Sequence, residues 1–141
     1  LKLRQEDSFL KEKWDFSRYQ PDVVCVNLGT NDLSTNNYDT KLLKQGYQKL
    51  YKLIRQHNPK AKIVLLTGSM LYNQELQIAK QLLDEIKAEA QKLGDKEVYR
   101  FDMAPIASNE FYGNDYHPNI YQDEKMACEL TAFLRGLMNW F

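Results

Sequence analysis

The sequence predicts an α/β fold, a parallel sheet covered by helices on both faces in a three-layer α/β/α sandwich. Two short runs, residues 23–28 (VVCVNL) and 62–67 (KIVLLT), are apolar and rich in β-branched side chains. Such runs read as strands buried on both faces, the habit of parallel sheets. Amphipathic helical repeats follow each run, so strand and helix alternate along the chain, as parallel crossovers require. A third run, residues 97–102 (EVYRFD), is less apolar and is expected nearer an edge of the sheet.

Taken in order, residues 1–20 are rich in charge and aromatics without a clean period, and read as a loop with a short helix packed outside the sheet. The first strand ends in Gly29-Thr30-Asn31-Asp32, small polar residues at a carboxyl edge where open α/β sheets bind ligands. The same four residues are also good turn and N-cap chemistry. Asp39 or Thr40 is a candidate cap for a helix whose apolar stripe is Leu43, Tyr47, Leu50, Ile54 and His57, with Leu53 broadening it. Asn58-Pro59 ends that helix, and His57 in its last turn is expected to be structural. Ser69, just past the second strand, is placed to face a cleft but lacks the Gly-x-Ser-x-Gly elbow of a nucleophile. Asn73 is a candidate cap for a long helix with Leu76, Ala79, Leu83, Ile86, Ala90 and Leu93 inward and Gly94 as its stop. After the third strand comes an irregular loop, and then Asn119 with Gln122 reads as a capping box. The helix it opens turns Met126, Leu130, Phe133, Leu134, Leu137 and Phe141 inward.

At 141 residues the chain suits one domain, and 43% hydrophobic with 27% charged residues is a globular composition. The net charge is zero, which argues against nucleic acid as a partner. No apolar run approaches the roughly 20 residues of a membrane helix. Cys25 and Cys128 read as free, buried thiols and leave the compartment open. The chain begins at Leu1 rather than Met, as expected of a processed or cut piece. Three strands are few for a doubly wound sheet, and an apolar first strand at an edge invites pairing with another segment, upstream or in a partner chain.

His117 stands in a loop before the last helix, between Asp115 and Pro118, and an unshifted imidazole exchanges a proton near neutral pH. Its loop follows a strand, as does that of Gly29 and Asn31, so both belong to the same rim of a parallel sheet. The Asn31 amide and backbone donors near Gly29 suit a developing oxyanion, and a histidine base opposite them suits acyl transfer.

These residues carry a resemblance. Gly-Thr-Asn-Asp after an apolar strand, with Asp-Tyr-His-Pro-Asn before the final helix, resembles the SGNH hydrolases, the GDSL-like lipase/acylhydrolase superfamily. The forms QPDVVCVNLGTNDLS and NDYHPN are most similar to the acetyl xylan esterase-like proteins of carbohydrate esterase family 2. The resemblance runs from about Asp15 to the C-terminus. It implies a flavodoxin-like sandwich and a serine esterase acting on acylated carbohydrate or another small ester, with no metal and no cofactor. By the same resemblance Asn31 and Gly29 form the oxyanion hole, His117 is the catalytic base, and Tyr116 and Asp32 serve substrate binding. Asp115 stands as the orienting acid, although the superfamily's aspartate precedes its histidine by three residues and Asn114 occupies that place. The sugar-esterase branch also uses a Ser-His dyad oriented by a backbone carbonyl.

The nucleophile block is missing. Glu6-Asp7-Ser8 has no strand before it and Glu in place of Gly, and Ser8 lies too close to Gly29 for the intervening elements. Residues 1–141 are therefore expected to be the C-terminal part of a single hydrolase domain without its first strands. The nucleophile would lie outside, in an N-terminal segment of the same protein or a second chain. An inactive sugar-binding module on the same fold is the alternative. A metal-dependent phosphoesterase using Asp32, Asp102, Asp115 and His117 is weaker, because only one histidine lies near the rim. A nucleotide module is weaker still, lacking a Gly-rich phosphate loop.

Overall fold

A computed structural model describes residues 14–35 and 37–140. Ser8 and Phe141 lie outside the described residues. Among the described residues three parallel strands, β1 (Val23–Asn27), β2 (Lys62–Thr67) and β3 (Val98–Asp102), stand in the order β1-β2-β3. The register pairs Val23 with Lys62 and Asn27 with Leu66, then Ile63 with Val98 and Thr67 with Asp102. Among the described residues the α-helices that accompany them are α1 (Thr30–Leu33), α2 (Thr40–His57), α3 (Asn73–Lys92) and α4 (Ile120–Met138). α2 and α3 share one face, where Val26, Ile63, Leu65 and Val98 meet Tyr47, Leu82, Leu83 and Ile86. α4 covers the other, laying Met126, Leu130, Phe133, Leu134 and Leu137 on Val64 and Leu66. This is the expected sandwich, with β3 at an edge.

Local chemistry explains most boundaries. The Asp39 carboxylate accepts from the Leu42 N–H at 2.9 Å and caps α2. Gly94, at φ +93°, supplies the left-handed residue that ends α3. Phe16, in a 3₁₀ turn (Phe16–Arg18), stacks on the His57 ring at 3.8 Å in the last turn of α2.

Several expectations fail. β1 is not buried on both faces: Val26 is buried, but Cys25 and Asn27 are exposed. Among the described residues α4 covers β2 and β3 and reaches only Val23 of β1. Cys25 and Cys128 are therefore free but not buried, the latter on the outer side of α4. Leu53 does not broaden the α2 stripe; it is 50% exposed with Leu42 on the flank away from α3, and Tyr51 turns inward instead. Leu93 is exposed because the helical face has ended at Lys92. Asn73 does not cap α3. Tyr72 holds that place, and Asn73 opens the helix at φ +42°. The capping box is half made: Asn119 Oδ1 accepts from the Tyr121 and Gln122 N–H groups. Its own N–H goes to the Phe111 carbonyl, leaving the Gln122 amide fully buried without a side-chain partner. Ser69 faces no cleft; it is 2% exposed and its hydroxyl is unpartnered.

α2 is locked to the turn after α3 by an ion pair. Arg55 Nε donates to Asp95 at 2.7 Å and its Nη1 to the Ala61 carbonyl at 2.6 Å, while the Tyr51 hydroxyl donates to Asp95 at 2.6 Å. Burial pushes the Asp95 carboxyl up, but the Tyr51 and Arg55 donors outweigh it and hold it below the ordinary carboxylate value. A group depressed in the folded state adds stability above its unfolded pKa and loses it as pH falls through the folded one. Asp95→Asn should therefore cost roughly 2 kcal/mol near neutral pH. Urea titrations should show that difference shrinking below about pH 4, the unfolded carboxylate value.

Candidate active site

Both candidate loops leave carboxyl ends of parallel strands, so both stand at one rim. After β1 the chain reaches Gly29 at φ +102°, a left-handed conformation that a side chain resists, and enters the single turn of α1. Leu33 anchors that turn at 1% exposure against Leu71, Leu76 and Ala79. With Leu33 inward, Asn31 and Asp32 are exposed. The Asn31 carbonyl accepts from Ser34 Oγ at 3.2 Å, and its side-chain amide makes no hydrogen bond among the described residues.

The second loop is built on the end of β2. The Met103 N–H donates to the Thr67 carbonyl and the Ile106 N–H to the Ser69 carbonyl, both at 3.0 Å. The Tyr72 and Tyr112 hydroxyls share a hydrogen bond of 2.6 Å that ties the loop to the start of α3. Tyr112 bridges Pro118, and the Gly113 N–H donates to the His117 carbonyl at 2.7 Å, closing residues 112–118 into a tight loop. A Cβ on Gly113 would stand 3.4 Å from the Pro118 carbonyl oxygen, so glycine suits this approach.

At the tip, Asp115 (φ 51°) and Tyr116 (φ 60°) are both left-handed. Non-glycine residues rarely adopt that region, and the strain is of a kind that gathers at functional sites. It brings the Asp115 carbonyl oxygen to 2.9 Å from His117 Nδ1. A carbonyl only accepts, so Nδ1 carries the proton and Nε2 keeps its lone pair in the neutral ring. The orienting contact is therefore made by the Asp115 main chain. The expectation that its carboxylate is the orienting acid finds no such contact, because the left-handed turn points the carbonyl at the ring.

Tyr116 is 77% exposed and stands edge-on to Tyr112 at 6.1 Å. With Asn109, Gly113 and Asp115 they line an open hollow of about 340 Å³. Thus Asp115, Tyr116 and His117 come together on one loop, and Gly29, Asn31 and Asp32 on another. That hollow is not lined by Gly29, Asn31 or Asp32. A larger groove of about 460 Å³ lies between α2 and α3 and holds none of them.

Asp102 is spoken for. Burial raises its carboxyl, but the Thr67 hydroxyl at 2.8 Å, Arg100 and Lys80 outweigh that and hold it low. Among the described residues no three His, Cys, Asp or Glu side chains converge as metal ligands. Among the described residues, too, no helix is long and apolar enough to cross a membrane.

A model of the GDSL-like Lipase/Acylhydrolase family matches residues 4–120. The cellulase/esterase CelE of Acetivibrio thermocellus is 34% identical over 128 residues, 91% of this chain and 16% of that protein. The acetylxylan esterase / glucomannan deacetylase of Cellvibrio japonicus is 33% identical over 128 residues, 91% of this chain and 34% of the relative. A solved family two carbohydrate esterase from Clostridium thermocellum, in complex with cellohexaose, superposes with TM-score 0.88 at 33% identity. That match covers 94% of this chain and 41% of the esterase. The chain thus spans well under half the length of these relatives.

Gly29→Ala should destabilise the fold by about 1–2 kcal/mol through its left-handed φ alone. The nearest atoms to a new Cβ, on Tyr47 and Leu43, lie at ordinary contact distances of 3.8 and 3.9 Å. Thermal unfolding measures the loss.

Proposed function

The chain belongs to the GDSL-like lipase/acylhydrolase family, and from that premise we propose that it is the C-terminal part of one hydrolase domain, a serine esterase that removes acetyl groups from carbohydrates. The observation that carries this reading is the His117 ring held by the Asp115 carbonyl with Nε2 left as a base. The nucleophilic serine is supplied from outside this chain, by a further segment of the same protein or a second chain. Its oxygen attacks the acetyl carbonyl carbon while Nε2 takes its proton. The resulting oxyanion is held by the Asn31 amide and a backbone N–H at Gly29. Collapse expels the sugar oxygen, which takes the proton from the imidazolium. Water then attacks the acyl-enzyme, again with His117 as base, and acetate leaves. Tyr116 gives the sugar ring an apolar face, and Asp32 offers an acceptor to its hydroxyls.

The second reading, an inactive sugar-binding module, draws on the separation of the Tyr112–Tyr116 hollow from Asn31. Glycan binding by the full-length protein without acetate release would decide for it.

In the full-length protein His117→Ala should abolish hydrolysis of an aryl acetate, and a rate above a few per cent of the parent would remove it as the base. Asn31→Ala should lower turnover by about 10²–10³. Asn is tolerated in the left-handed region, so Asp115→Asn should keep the carbonyl in place and the rate within about threefold of the parent. A far larger loss would make its carboxylate the orienting group.

A further inference from the structure

Tyr47 stands in the apolar stripe of α2 at 4% exposure, yet it carries a hydroxyl. Such a group needs partners when buried. It finds both on one residue: it donates to the Leu28 carbonyl at 2.7 Å and accepts from the Leu28 N–H at 3.2 Å. Leu28 is the last residue before the left-handed Gly29, just past the end of the β1 ladder at Asn27. Its own side chain is 57% exposed and anchors nothing. The Tyr47 ring also lies 3.8 Å from the place of a Gly29 Cβ, so ring and hydroxyl together back the turn.

We propose that Tyr47 is a positioning residue that holds the backbone of Leu28 and Gly29 in place and so sets where the Asn31 amide points. The proposal rests on the oxyanion role given to Asn31 above. A hydroxyl gripping both polar groups of one peptide residue fixes its orientation as well as its distance, which a single bond does not. Burial, partly offset by the Leu28 N–H, pushes the phenol up to about 12, so both hydrogen bonds persist across the working range of an esterase. The carboxamide of Asn31 has no partner of its own among the described residues, so its aim depends on the backbone that carries it. A displacement of about 1 Å in such a group is enough to slow a reaction by about 10²-fold.

The test uses the full-length protein with Tyr47→Phe, which removes only the hydroxyl, alone and combined with Asn31→Ala. Tyr51→Phe is the control, since it removes a hydroxyl from the same helix that binds Asp95 instead. Tyr47→Phe should lower kcat on an aryl acetate by about 10–100-fold with KM within about twofold. The double variant should be no slower than Asn31→Ala, because both act through one donor. Amide exchange at Leu28 should rise at least about tenfold in Tyr47→Phe and stay unchanged in Tyr51→Phe, whose kcat should also hold. Multiplying losses in the double variant, an unchanged kcat, or unchanged exchange at Leu28 would each overturn the proposal. If the parent protein hydrolyses no ester, the esterase reading falls by itself, and exchange at Leu28 alone still decides whether Tyr47 holds this turn.

Discussion

The rim of the sheet is organised around the backbone of β2. It is bonded on both sides, and Ile63, Val64, Leu65 and Leu66 are buried on both faces. Its parallel pairing with β1 and β3 sends all three carboxyl ends the same way. Past the ladder the same chain goes on accepting: the Thr67 carbonyl takes Met103 and the Ser69 carbonyl takes Ile106. The histidine loop is thus fastened along an extension of the central strand. Two tyrosine contacts complete the frame, Tyr47 on Leu28 and Tyr72 on Tyr112. Both act through a hydroxyl on the base of a loop rather than on its tip.

The two loops show different kinds of order. Residues 29–33 owe their shape to one left-handed glycine and one buried leucine, which leaves Asn31 exposed and unengaged. Residues 112–118 are cross-braced, and the bracing forces two non-glycine residues into left-handed conformations. Held strain of this sort persists only where surrounding bonds over-determine it. Its product is specific: a main-chain carbonyl, which cannot be protonated near neutral pH, replaces a carboxylate as the partner of the imidazole. The tautomer is then set by geometry rather than by a second titrating group.

What was legible in the sequence was local. The strands at 23–28 and 62–67, a cap at Asp39 or Thr40 and the stop at Gly94 follow from residue type and period; the structure ends the first strand at Asn27 and takes Asp39 as the cap. The candidate loops were legible as well, because parallel order alone places them at one rim. What was not legible depends on neighbours distant in the chain. Cys25 looks buried until one asks what lies over β1, and Leu53 looks inward until α3 takes the other flank. Tyr47 read as one more stripe residue, although a phenol among Leu and Ile was the available sign of a buried hydroxyl seeking partners. The choice between the Asp115 carboxylate and its carbonyl rests on two dihedral angles that no spacing rule contains.

The open flank of β1 bears on where the nucleophile belongs. Among the described residues β1 is paired on one side only, Cys25 is exposed, and Leu42 and Leu53 lie exposed on the neighbouring flank of α2. Both crossovers here, through α2 and α3, lie on one face because right-handed connections stepping in one direction must. A crossover helix beside α4, on the opposite face, has to step the other way, outward from β1. A strand paired with the free edge of β1, if its outgoing crossover ran over the α4 face, would step away from β1 while β1 steps toward β2, making that edge a topological switch point. Crevices open at the carboxyl ends of strands at such points. Under the proposed function, a serine at the end of that strand would stand beside Gly29 and Asn31, the two residues whose donors it needs.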